Sequence, residues 1–68
     1  MTTQTVSEEY LMGIREGRES LRRHGMGIAA QELDNLTRTC RMFAADSAVG
    51  QMLRGERDFW KHQMSKGA

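Results

Sequence analysis

Nowhere in this chain do apolar and polar residues alternate with the two-residue period of a strand, and no proline interrupts it. Apolar positions recur at three- and four-residue steps instead, so an all-α fold is expected. Gly25 and Gly27, and then the stretch from Asp46 to Gly50, supply two breaks. The expected product is a small helical hairpin or three-helix chain. It forms one domain over 1–68, with helices at about 6–24, 27–45 and 47–65.

The first helix has an entry signal in Thr5-Val6-Ser7-Glu8, which fits a capping box with Thr5 as cap and Glu8 reaching back. Tyr10, Ile14, Gly17, Leu21 and His24 then share one narrow face. Arg22, Arg23 and His24 suit the negative end of a helix dipole, and Gly25 suits a left-handed stop. In the second segment Ala29, Leu33, Leu36, Cys40, Phe43 and Ser47 alternate by four and three. That spacing predicts a short seam for antiparallel packing. Asp46 is the expected cap of the third helix, where Val49, Met52, Leu53, Trp60, Gln63 and Met64 share a face. Glu56 falls in the middle of that face and Phe59 at its edge.

Size then limits what such helices can achieve. Leu, Ile, Val and Phe number 11 among 68 residues, too few to offset comfortably the entropy of ordering the chain. An intertwined homodimer is therefore expected. Its core or seam positions are Tyr10, Ile14, Leu21, Leu33, Leu36, Cys40, Phe43, Leu53 and Trp60. A net charge of +1 excludes both a polycationic nucleic-acid tail and an acidic DNA mimic. No apolar run approaches the roughly 20 residues of a membrane span, and no signal peptide is expected. The single Cys40 cannot form an internal disulfide and fits a reducing compartment.

Few residues invite chemistry. His24, Cys40 and His62 lack the paired spacing of a zinc site, and no base neighbours Cys40 in sequence. Neither a metal, another cofactor nor an enzymatic activity is expected. Gly13-x-x-x-Gly17 predicts close helix packing, within or between subunits. Arg15, Arg18, Arg22 and Arg23 are interspersed with Glu16 and Glu19, which suits a solvated face better than a phosphate-binding one. The carboxylate of Glu56 needs a partner or a place at the rim of the core. Met12 and Met42 fall on polar sides, as contact surface or as isolated apolar residues. Residues 1–34 carry four basic and six acidic side chains, and residues 35–68 carry six and three. That imbalance favours contact between halves or between subunits.

Two stretches resemble a known group. Glu9-Tyr10-Leu11-Met12-Gly13-Ile14-Arg15-Glu16-Gly17-Arg18 and Gly55-Glu56-Arg57-Asp58-Phe59-Trp60-Lys61-His62-Gln63 look like small early proteins of Mu-like Pseudomonas phages, a group with quorum-sensing anti-activators. The similarity in length and general pattern covers most of the chain. It implies a small helical dimer in the host bacterial cytoplasm that inhibits host proteins by binding them. The implied targets are a LuxR-type quorum-sensing regulator, whose DNA binding is blocked, and the type IV pilus assembly ATPase, whose inhibition excludes competing phages.

The residues themselves nominate Arg15, Arg18, Arg57 and Phe59 as partner-binding, because each flanks an apolar stripe and belongs to a type that dominates interface hot spots. Two other functions fit the same pattern. One is a small dimeric DNA-binding regulator of helix-turn-helix type, although no helix carries an uninterrupted basic face. The other is a phage inhibitor of a CRISPR complex.

Overall fold

The computed structural model describes residues 7–67. Its first helix, α1, spans Glu8–His24. Ser7 caps it, accepting the Tyr10 amide N–H on its side-chain oxygen at 3.1 Å. The expected cap, Thr5, lies outside the described residues. At the other end Gly25 takes φ 74°, a conformation that favours glycine, and its N–H donates to the Leu21 carbonyl at 2.8 Å.

A single 3-10 turn, Met26–Ile28, leads into α2, Ala29–Cys40. This helix is five residues shorter at its end than the 3.5-residue spacing predicts. Its last turns tighten: the N–H groups of Arg41, Met42 and Phe43 donate three residues back, to Arg38, Thr39 and Cys40. The Arg54 guanidinium also donates to the Cys40 carbonyl, at 3.4 Å. That carbonyl thus serves the tightened turn and the Arg54 side chain together. Phe43, expected as a core or dimer-seam position, is therefore left 41% exposed in the loop, outside the core of its own chain.

The third helix, α3, spans Ala48–Gly67. Its cap is Ser47, not Asp46. The Ser47 hydroxyl accepts the Gly50 N–H at 3.0 Å and donates to the Ala44 carbonyl at 2.8 Å. Ser47 thus serves the turn and does not extend the α2 seam. Val49, expected on the buried face of α3, is 45% exposed. All three elements are helical, and no strand occurs among the described residues.

The helices are ordered around α3. Ser7 pairs with Gln51 and Tyr10 with Asp58, so α1 and α3 run parallel. Chain connectivity then requires α2 to return in the opposite direction, against the other side of α3. Ala29, Leu36, Phe59 and Trp60 form the buried centre, with Ile14, Leu21, Ile28, Leu33 and Leu53 packed partly buried around it. Cys40 is buried as well. Trp60 is 0% exposed and meets Phe59 edge to face, with ring centroids 5.3 Å apart. Phe59, expected at the edge of its stripe, is thus part of the core.

Glycines let α1 and α3 touch backbone to backbone. A Cβ on Gly13 would lie 2.8 Å from the Glu56 amide nitrogen, and one on Gly55 would lie 2.9 Å from the Tyr10 carbonyl carbon. A Cβ on Gly17 would strike the Phe59 ring at 2.6 Å. The Gly13-x-x-x-Gly17 pair thus packs within the chain. Each helical glycine forfeits about 1 kcal/mol of propensity relative to alanine, and close packing offsets that loss here.

Gly13→Ala is accordingly expected to destabilise the fold by about 1–3 kcal/mol, overpacking outweighing improved propensity. Gly27→Ala, where a Cβ meets nothing within 4 Å, should be near neutral. Urea unfolding followed by circular dichroism compares them. Equal stability of the two variants would show that the helices do not approach as described.

Candidate functional site

Parallel packing sets two stripes of side chains side by side. On α1 they are Tyr10, Ile14 and Arg18, one turn apart; on α3 they are Asp58, His62 and Lys66. Each α3 position is 48 residues beyond its α1 counterpart, so the stripes stay in register along the helices. Between them runs an open groove of about 370 Å³, closed below by Phe59 and flanked by Gln63.

The groove changes character along its length. At its first end the Tyr10 hydroxyl donates to Asp58 Oδ2 at 2.5 Å. The Arg57 guanidinium donates to Asp58 Oδ1 through Nε at 3.1 Å and through a terminal nitrogen at 3.0 Å. Those bonds offset the Asp58 charge. Ile14 and the Phe59 ring provide the apolar middle. At the far end stand Arg18, His62 and Lys66, none of them in an ion pair among the described residues.

The expected binding residues separate. Arg18 lines the groove and is exposed. Arg57 is held against Asp58 and structures one end. Phe59 belongs to the core and also lines the groove. Arg15 is exposed on α1 but does not line the groove. Sequence reasoning passed over His62, Lys66 and Asp58 as site residues. Their four-residue spacing was legible, but only the parallel register of two distant helices gives it meaning.

The expected core positions also divide. Leu36, Cys40 and Trp60 are buried; Tyr10, Ile14, Leu21, Leu33 and Leu53 are partly buried, Tyr10 and Ile14 because they wall the groove. Leu11 and Met12 remain exposed on α1, and Met42 is 77% exposed in the loop after α2.

Charge and burial perturb two groups. Donation to Asp58 raises the Tyr10 pKa above the usual phenol value. Burial and the nearby Asp58 charge add to this, and Arg57 opposes it. Partial burial raises the Glu56 pKa, reinforced by Glu32 on α2 and Glu16 on α1. Glu56 is in no ion pair among the described residues. One turn further along α3, the Trp60 indole N–H is buried with no acceptor among the described residues. No three His, Cys, Asp or Glu among the described residues are grouped to hold a metal ion. No described helix is long and apolar enough to cross a membrane.

Fold and groove together define a small three-helix chain with an amphipathic cleft between parallel helices. Compared with known proteins, it matches no family model, no curated protein and no solved structure.

Tyr10 is the sole tyrosine, so its ionisation can be followed directly by ultraviolet absorbance. It should titrate above the ordinary value of about 10, and Asp58→Asn should bring it back toward that value. An unchanged midpoint in that variant would exclude the Tyr10–Asp58 bond. Glu56 gives a stability test. Its pKa is raised on folding, so the charged form penalises the fold above that pKa, and the penalty fades as pH falls toward the carboxylate range. Glu56→Gln should therefore be more stable than the parent at neutral pH, with the difference shrinking on acidification. A pH-independent difference would contradict this.

Proposed function

We propose that this chain is a non-enzymatic inhibitor that works by occupying a host protein through the α1–α3 groove. The observation that carries the proposal is the cleft itself, with an apolar floor and a cationic mouth on a frame fixed by glycine contacts. Such a site offers shape and charge to a partner and no group poised for bond making. Resemblance to small early proteins of Mu-like Pseudomonas phages supplies the targets: a LuxR-type quorum-sensing regulator, kept off its DNA, and the type IV pilus assembly ATPase. In this proposal the inhibitor is a homodimer in the host cytoplasm and the phage gains by excluding competitors. A role in reading DNA is disfavoured by Glu16 and Glu19 among the α1 arginines and by Asp58 within the groove.

The test uses purified components. Fluorescence anisotropy of labelled promoter DNA bound by the regulator should fall as the chain is added. Light scattering of the chain alone should give twice 7.7 kDa. The chain alone should leave the DNA signal unchanged at physiological salt. Retention of the regulator on DNA, with the ATPase also unbound, would reject the inhibitor. Direct, steeply salt-dependent DNA binding by the chain would favour a DNA-binding regulator.

A further inference from the structure

We infer that the groove takes an acidic protein segment bearing one apolar side chain, which sits over Ile14 and Phe59 while its carboxylates meet Arg18 and Lys66. The inference rests on the groove being the contact surface and specifies the chemistry of its occupant. Charge complementarity is the ground for it. The one carboxylate that lines the groove, Asp58, already accepts bonds from Tyr10 and Arg57, whereas Arg18 and Lys66 have no ion-pair partner among the described residues.

The order of groups gives the segment a direction. Its apolar side chain belongs in the middle, where Ile14 and the Phe59 ring exclude water from both sides. Its carboxylates belong toward the ends of α1 and α3, where Arg18 and Lys66 stand on opposite walls with His62 one turn before Lys66. Two like charges facing each other across an open mouth repel, and an anion between them relieves that repulsion. A phosphate backbone has the right charge for the mouth but no apolar group for the middle, and its extended charge would run on to the Asp58 carboxylate.

The probe is a short labelled peptide with a leucine flanked on one side by glutamates, added to the full chain and followed by nuclear magnetic resonance and anisotropy. Signals of Ile14, Phe59, Arg18 and Lys66 should move. The paired variant Arg18→Glu, Lys66→Glu should weaken binding about tenfold or more, and raised salt should weaken it too. The milder pair Arg18→Gln, Lys66→Gln should give a smaller loss, and it carries the test if charge reversal disturbs the helical spectrum. No movement at millimolar peptide, movement confined to other residues, or equal binding of a lysine-flanked peptide would each overturn the inference. So would displacement of the peptide by duplex DNA from the groove, or loss of dimer mass on charge reversal, which would assign the groove to a second copy. The outcome is separable from the inhibitor proposal. A LuxR-type regulator that binds the charge-reversed chain undiminished would leave the inhibitor standing and remove the groove. Peptide binding without regulator binding would do the reverse.

Discussion

The close approach of α1 to α3 is the constraint on which the rest of the structure depends. Gly13 and Gly55 remove the side chains that would hold two backbones apart, and Gly17 gives the Phe59 ring a flat surface. With the axes so near, larger side chains on either flank of the contact must point away from it. On one flank they converge with α2 to form the core around Trp60. On the other they diverge as the two walls of the groove. Core and cleft are thus two sides of one glycine contact, and a methyl group added at that contact would disturb both.

Polar groups at the centre show the limits of so small an interior. Glu56 is partly buried, with the charges of Glu16 and Glu32 acting against its own, and the Trp60 indole N–H one turn away finds no acceptor among the described residues. Either feature costs stability where hydrophobic burial is scarce. The exposed ion pairs on the outer faces, Glu19 with Arg22 and Arg23, and Asp34 with Arg38, compensate little, because solvent screens them. The fold is held chiefly by the packing of Leu36, Phe59 and Trp60 and by the glycine contact.

Much of this was legible in the sequence. Periodicity located three helices, and Leu36, Cys40 and Trp60 stood out at their spacing. The two glycines of α1 announced a tight contact without naming the partner helix. The failures share a cause: each depended on a group far away in the chain. The seam spacing runs through Phe43 and Ser47, but α2 ends at Cys40, whose carbonyl accepts the Phe43 N–H and the Arg54 guanidinium. Phe59 sits at the edge of its own helical stripe and is buried because Gly17 lies across from it. The Tyr10–Asp58 bond joins residues 48 apart, and nothing local to either one signals it. Ser47 as cap is the exception, a local choice between two adjacent residues of similar propensity.

The parallel pairing of the first helix with the last also bears on how the chain acquires its structure. Neighbouring helices in sequence usually find each other first, because the loop between them is short. Here the tightest interface joins segments separated by the whole of α2, so its contacts are distant in sequence despite the helical fold. During synthesis α1 emerges with its glycine face uncovered, and it stays so until α3 has left the ribosome. The face that holds the fold together is thus completed only by the last helix of the three to be made.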